Sequence, residues 1–557
     1  MKRNLNTLAA QEFDVLIVGA GIYGATAAWD AALRGLSVAL IDSGDFGGAT
    51  SANSLKIVHG GLRYLQTLDV ERMRESIRER RTFMHIAPHL VHPLRCVMPT
   101  YGHGMKGKEV LWMGMLVNDI ISFDRNRIDD PQKQIPLSRV ISKDECLRLI
   151  PGIDGTRVTG GALWTDAQMY SSERLVLAFV LSAARAGACA ANYVEAIDFL
   201  RRDDCITGMK VRDVFTGETL DIRARIVVNT SGGWVDDVLE KTIGLSRKVD
   251  LSTAMNLVVN RQVLPECAAG IHTWYTYEKQ DGSTHRGRRV LFMTPWNACT
   301  LVGTYHLPYD GHPDALRVTE AEVHAFLKEI NRGYPGDPID RRDVTFFHKG
   351  FLPMDGINPK SGEVELTRHS RIHDHQKEEG IEGLISVVGV KYTTARDVSE
   401  KTVSLVFQKL SRDVPTSRSR DTRLVGGEIP RFEDYLSQAE RHKPAGLDAR
   451  VMRHLVYHYG SEYPRILEYG KENSDWMQSL PGSEDVLEAE VVHAVREEMA
   501  LKLGDVVFRR TNLGSGGIPK EESMKAVSAI MAKELGWSET RRKQEVREVE
   551  AVYVPAE

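Results

Sequence analysis

Gly19, Gly21 and Gly24 fall in the spacing G-x-G-x-x-G, and Asp42 follows Gly21 by twenty-one residues. In that pattern the first glycine permits a tight turn and the second lets a pyrophosphate approach the main chain. The third lets a helix settle closely on a sheet, and the carboxylate accepts hydrogen bonds from ribose hydroxyls. The chemistry expected is dinucleotide binding at a helix N-terminus. The fingerprint by itself does not separate NAD from FAD. A second stretch, residues 49–65, reads ATSANSLKIVHGGLRYL. Small hydroxyl residues and glycines there can line a long cofactor closely, while Lys56, His59, Arg63 and Tyr64 present polar groups to a substrate.

These residues need elements to hold them. A β-branched run at 13–18 ends in the glycines and passes into an alanine-rich helix at 25–33. A second strand at 37–41 then finishes at Asp42. This βαβ start predicts a parallel, doubly wound sheet. Further strand-like runs lie at 226–228, 256–259, 290–293, 300–303 and 384–388, between helical stretches such as 72–84 and 173–186. The distance from the first strand to 384–388 predicts a nucleotide domain assembled from separate pieces, with a second sheet inserted. From about residue 430 the runs become helical and charge-laced, at 484–503, 520–535 and 538–550. The expected fold is α/β: a Rossmann-like domain (1–90, 160–250 and 350–425), an antiparallel-sheet cap (91–159 and 251–349), and an all-helical C-terminal domain (426–557).

Composition narrows the function classes. In 557 residues the formal net charge is −4, which gives no global pull toward nucleic acid. The six cysteines are scattered with no CxxC pair, as suits a reducing, cytoplasmic setting. The N-terminus has no apolar stretch of export type. Residues 110–123 are the nearest approach to a membrane segment, but Asn118 and Asp119 interrupt the run. Lys106 and Lys108 precede it, and Arg125 and Arg127 follow. It reads either as a core helix with charged ends or as a helix lying on an anionic membrane surface. His369, His373 and His375 sit in a charged stretch expected to be an exposed hairpin or loop, with no evident completed metal site, so no metal is expected. Trp274, Tyr275 and Tyr277 read as sheet packing. No Walker A or G-x-S-x-G motif occurs.

The fingerprint and the 49–65 segment together resemble the FAD-dependent glycerol-3-phosphate dehydrogenases, within the D-amino-acid-oxidase-like flavoproteins. The resemblance continues at 227–234 (VVNTSGGW), at 289–296, at 388–396 (VGVKYTTAR) and at 498–514, so it covers almost the whole chain. It implies FAD as cofactor. Gly19, Gly21, Gly24 and Asp42 would hold its ADP half, and Ser51, Ser54 and Lys56 would run along pyrophosphate and flavin. Gly60, Gly232, Gly389, Lys391 and Thr393 complete the cofactor set. Arg63, Tyr64, Arg368 and Lys391 match substrate-pocket positions, and His59, Lys391 and His306 are candidates for the general base. The activity implied is oxidation of a secondary alcohol to a ketone with hydride transfer to flavin N5. Quinone would be the acceptor at the cytoplasmic face of a membrane, the substrate a phosphorylated small molecule, and the assembly a candidate homodimer.

The departures from the family pattern cluster in the substrate half. Leu352 stands where a pocket arginine is expected, and Asn256 where a histidine or lysine is expected. Thr304-Tyr305-His306 replaces Thr-Thr-Asp, and Val390 replaces a glycine. A lost guanidinium removes a bidentate partner for phosphate. Two alternatives follow: a flavin enzyme acting on a less anionic alcohol or amine, and a catalytically silent FAD-binding paralogue that works through its helical domain. Lys349, His306 and Arg371 are the residues from which a replacement phosphate clamp could be built.

Overall fold

The computed structural model describes residues 1–62, 64, 69–102, 108–245, 249–278 and 283–557. Among them, the Glu12–Val18 strand, the Ile22–Leu33 helix and the Val38–Ile41 strand form the expected βαβ unit. Both strands are buried on both faces, which is why they read as unbroken apolar runs rather than alternating ones. Among the described residues eight strands make the first sheet, whose main path runs Arg371–Asp374, Leu384–Val388, Thr219–Asn229, Glu12–Val18, Val38–Ile41, Cys189–Ala191. Four of the five pairings on that path are parallel, and the Arg371–Asp374 edge is antiparallel. An antiparallel pair, Val194–Arg202 and Cys205–Asp213, extends the Thr219–Asn229 strand.

The second sheet has ten strands among the described residues and is antiparallel except where Ala268–Glu278 meets Val91–Tyr101. It takes Ile57–Val58, most of Val158–Met169, part of Val344–Ile357, and Val364–Leu366. All of these lie within stretches expected in the nucleotide domain. The reason is continuity: Val158–Met169 runs as one strand along Val91–Tyr101 and at its end reaches Ile57–Val58. Each of these strands belongs to the second sheet alone, and after Val158–Met169 the chain returns to the first sheet through the Ser172–Arg185 helix. The C-terminal region is helical, with Phe432–Arg441, Ala449–Tyr459, Glu488–Glu498, Glu521–Leu535 and Glu539–Ala551 burying two apolar clusters of their own.

Two expectations are corrected. The 110–123 stretch forms the helix Lys108–Ile121, but it is not a core helix. Met115 is buried against the second sheet, whereas Trp112, Met113, Leu116, Val117, Ile120 and Phe123 face outward, the last two 64% and 69% exposed. The histidines at 369–375 are not one exposed loop either. His373 lies on the Arg371–Asp374 strand beside Glu378, and His375 is fully buried between Glu379 and Ser386. Among the described residues no cluster fit for a metal ion exists, and no helix is long and apolar enough to cross a membrane.

Candidate active site

The glycine turn has the shape its spacing predicts. Gly19 adopts φ +94°, and a Cβ there would lie 2.8 Å from the Ser231 Cα and Thr230 O. A Cβ on Gly24 would lie 1.8 Å from Gly19 O, so the helix sits directly on the strand end. No side chain caps that helix at Gly21, although Ser51 Oγ accepts from Ile22 N at 2.9 Å. Asp42 closes the other side, its carboxylate accepting from Ala20 N at 2.6 Å and Gly44 N at 2.9 Å. Burial raises its pKa to about 6 against those two hydrogen bonds. A cradle that only glycine can form, an uncapped helix start and a carboxylate at the strand end fit a dinucleotide. Gly232 (φ +63°) stands beyond the Thr219–Asn229 strand, with open space where its Cβ would be.

A second cluster gathers around residues 389–394. Tyr23 donates its hydroxyl to Lys391 O at 2.9 Å and accepts from Lys391 N at 3.1 Å, which fixes the lysine's main chain. A Cβ on Gly389 would lie 2.1 Å from the Tyr23 ring, so this clamp needs glycine. The Lys391 ammonium donates to Ser76 Oγ at 2.9 Å and Tyr64 OH at 3.2 Å, and lies 4.8 Å from the Tyr64 ring centre. Arg72 covers the same ring at 4.2 Å and donates to the same hydroxyl. Two cations thus converge on one phenol; Arg72 has Asp69 Oδ2 at 3.7 Å, so Lys391 supplies the charge that favours a bound anion.

His59 is tied to this cluster through Thr393, whose buried Oγ1 accepts from His59 N at 3.2 Å. Its ring Nδ1 lies 3.4 Å from Asp166 Oδ2. Asp166 also accepts from Gly60 N at 2.6 Å and Arg80 Nη1 at 3.0 Å. Burial alone would raise its pKa, but the histidine, the guanidinium and the amide outweigh it and hold the group below the ordinary carboxylate range. A Cβ on Gly60 would lie 2.1 Å from Arg80 Nη1, so a side chain there would push the guanidinium off its position beside Asp166. Arg72, Ser76 and Arg80 all come from the Val70–Ile86 helix. A buried bidentate pair, Arg396 with Glu79 at 2.6 and 2.8 Å, locks that helix to Ala395–Lys409.

Of the sequence candidates, His59, Gly60, Tyr64, Gly389, Lys391 and Thr393 come together, as do Gly19, Gly21, Gly24, Asp42 and Ser51. Lys56 differs from expectation. Its ammonium turns into the interior, donating to Ala52 O, Ser172 Oγ and Glu173 Oε1, so only main chain is left to follow a cofactor. Burial pushes its pKa down against the pull of Glu173. Ser54 accepts from Lys56 N and caps this turn. Arg63 lies outside the described residues. Arg368 is exposed, two residues before Ser370, which bonds Tyr23 OH and Val390 N. Among the described residues neither Arg368 nor Lys391 has a carboxylate partner. Lys349 and Arg371 do, in Glu322 and Asp355. His306 stands on the Cys299–Tyr309 strand opposite Ala254, and nearby Asn256 accepts from Thr304 Oγ1 at 2.9 Å.

Sequence reasoning missed Arg72, Ser76, Arg80 and Asp166. The first three repeat at four-residue intervals and so share one helix face, a signal present in the sequence. Asp166 gave none, being a lone acid inside an apolar strand.

Residues 14–390 match the family described as FAD dependent oxidoreductase, and residues 417–542 match the C-terminal domain of alpha-glycerophosphate oxidase. The glycerol-3-phosphate dehydrogenase of Synechocystis sp. is 31% identical, over 98% of this chain and 97% of its own length. The mitochondrial glycerol-3-phosphate dehydrogenase of Mus musculus is also 31% identical, over 96% of this chain and 72% of its own. Among solved structures, the glycerol-3-phosphate dehydrogenase from Bacillus halodurans complexed with FAD matches with a TM-score of 0.75 at 26% identity. That match covers 98% of this chain and 96% of the other.

Proposed function

Because this chain belongs to the FAD-dependent oxidoreductases, and within them to the glycerol-3-phosphate dehydrogenases, we propose that it oxidises the secondary hydroxyl of glycerol 3-phosphate to the ketone of dihydroxyacetone phosphate. It is an FAD-dependent dehydrogenase acting on a CH–OH group. In this reading Gly19, Gly21, Gly24, Asp42 and Ser51 hold the ADP half of FAD. Ser54, Gly60, Gly232, Gly389, Lys391 and Thr393 follow it toward the flavin. Bound FAD supplies the hydride acceptor, at its N5, and the route by which both electrons reach a quinone.

The chain's own residues do the rest. Lys391 and Arg368 hold the substrate's anionic end, and Tyr64, itself gripped by Arg72 and Lys391, orients the hydroxyls. His59 takes the hydroxyl proton, with Asp166 holding the ring and stabilising the imidazolium that results. His306, on the second sheet, has no part in this assignment. The observation that carries the reading is that Lys391 meets only the hydroxyls of Tyr64 and Ser76 and the Tyr64 ring, with no carboxylate among the described residues to neutralise it. Anaerobic addition of glycerol 3-phosphate to the purified holoprotein should bleach the flavin band rapidly. A flavin that stays oxidised with this substrate, but is reduced by a less anionic alcohol or amine, would replace the substrate assignment. A flavin that no alcohol or amine reduces would favour a silent paralogue.

The exposed face of the Lys108–Ile121 helix supports a membrane as partner, the natural source of a quinone. Trp112, Met113, Leu116, Val117, Ile120 and Phe123 form one apolar surface, with Arg74 and Arg127 beside the Phe123 ring at 5.1 and 5.7 Å. Such a face, rimmed by arginine, suits the interface of an anionic bilayer. Ile120→Ser with Phe123→Ser should abolish co-sedimentation with phosphatidylglycerol vesicles and leave flavin reduction by substrate unchanged. Retained sedimentation would remove this assignment.

A further inference from the structure

The loop that follows Asp42 is held from the far end of the chain. Asp45, three residues on, is buried and accepts from Arg510 through both oxygens, at 2.7 Å each, and from Arg509 Nε at 2.5 Å. Asn192 donates to the same carboxylate at 3.0 Å and to Met499 O at 2.9 Å. Arg510 also donates to Glu498 O, and Arg509 donates to Asp505, which in turn accepts from Tyr193 OH at 2.6 Å. The main chain agrees with this arrangement, since Val194 N donates to Asp42 O and Tyr193 N to Gly44 O. Thus the stretch that carries Asp42 lies between the Cys189–Ala191 edge of the first sheet and two arginines of the helical C-terminal region.

We propose that Arg509 and Arg510 are positioning residues for the cofactor: by gripping Asp45 they hold the 42–48 loop so that Asp42 meets the ribose, and FAD affinity depends on the docked C-terminal region. This rests on the assignment of Asp42 to the ribose. Two carboxylates three residues apart repel each other, and a buried Asp45 without its cations would disfavour an ionised Asp42. The charged groups facing Asp42 are Asp45 on its own loop, which raises its pKa, and Arg509 from the C-terminal region, which lowers it. Arg510, Asp505 and the Tyr193 hydroxyl stand behind these, and the Cys189–Ala191 strand offers only main chain to Asp42. An ionised Asp42 is the form that accepts from ribose hydroxyls. Binding therefore falls as pH drops through its value of about 6, by at most about tenfold per pH unit.

The test is a titration of full-length apoprotein with FAD, followed by flavin fluorescence from pH 5 to 8, with a thermal melt of each variant. Wild type should bind with little pH dependence above 7 and weaken below about 6. Arg509→Gln should bind at least about tenfold more weakly at pH 7, with its break moved to higher pH, because a cation that favours the ionised Asp42 is gone. Arg509→Lys, which keeps the cation but not the fork, should weaken binding and leave the break where wild type has it. A folded Arg509→Gln with wild-type affinity and break overturns the proposal. If the glutamine variant fails to fold, a lysine variant with a displaced break overturns it as well. Asp42→Asn separates the two levels. If it binds FAD as wild type does, the ribose assignment itself has failed; if it binds weakly without a pH break while Arg509→Gln is normal, only the latch has.

Discussion

Two segments expected along the cofactor each bring a lysine, and the structure treats their charges in opposite ways. Lys56 is fully buried against Glu173, with Ser172 and a carbonyl completing its three donors. Lys391 is half-buried and, among the described residues, finds only hydroxyls and an aromatic face. A neutralised charge in the interior specifies how the chain packs, and removing one partner leaves the other stranded. A charge left to weak neutral partners in a reachable place can still take an anion. The difference ties one lysine into the fold and leaves the other the charge that the proposed substrate role requires; the sequence resemblance places both along the cofactor and only Lys391 in the substrate pocket as well.

The largest effect should come from breaking the buried pair. Lys56→Met strands Glu173, whose carboxyl is held down by Lys56 and His348 in spite of its burial, and should cost about 3–5 kcal/mol in denaturant unfolding. Lys56→Met with Glu173→Leu should recover most of that loss. A single-variant cost within about 0.5 kcal/mol, the range of an ordinary surface change, would make the two lysines equivalent and undo the comparison. Lys391→Met should show the reverse pattern. Its stability should change by less than about 0.5 kcal/mol, while kcat/KM for glycerol 3-phosphate falls by about 10²–10³-fold, the range for losing one preorganised electrostatic donor. Activity within tenfold of wild type would move the substrate away from Tyr64 and Lys391.

How much of this was legible in the sequence follows from the same contrast. The βαβ start, the glycine cradle and Asp42 were readable because each rests on local backbone geometry, where spacing alone fixes what a side chain would meet. The interrupted nucleotide domain was readable from the distance between the first strand and the run at 384–388, and the helical C-terminal region from its charge-laced helical runs. The fate of Lys56 was not, because it depends on Glu173, more than a hundred residues away. Asp166 was hidden for the same reason, since its meaning comes from Gly60, His59 and Arg80 arriving from other elements. The Lys108–Ile121 helix was ambiguous because an apolar face reads the same whether a sheet or a lipid covers it. Among the described side chains of this helix, only Met115 is fully buried, with Leu111 partly buried beside it.

His59 sharpens the comparison within the reactive cluster. If its ring accepts the substrate proton with Asp166 as support, His59→Gln should lower kcat by about 10²-fold, the low end for a general base. It should also flatten the acidic limb of the kcat profile while KM stays near wild type. A KM change with kcat unmoved would make His59 a binding group and return the proton to Lys391.

The smallest expected effect tests the substrate half against the cofactor half. Leu352 lies half-buried on the Val344–Ile357 strand opposite Ser252, where relatives of this family are expected to carry an arginine. Its neighbours Phe351 and Pro353 are buried, so alternation along the strand turns Leu352 to the other face. A guanidinium placed there would be partly hydrated, so its gain is that of an exposed ion pair, up to about 1 kcal/mol. Leu352→Arg should therefore lower KM for glycerol 3-phosphate by no more than about fivefold and leave kcat unchanged. A gain of that size would mean that Lys391 and Arg368 already hold the phosphate and that the missing arginine only adds to them. An unchanged KM for glycerol 3-phosphate, together with a raised KM for an uncharged polyol, would mean that the leucine wall is itself part of substrate selection. The cofactor half would then have kept the family's chemistry while the substrate half had left its phosphate behind.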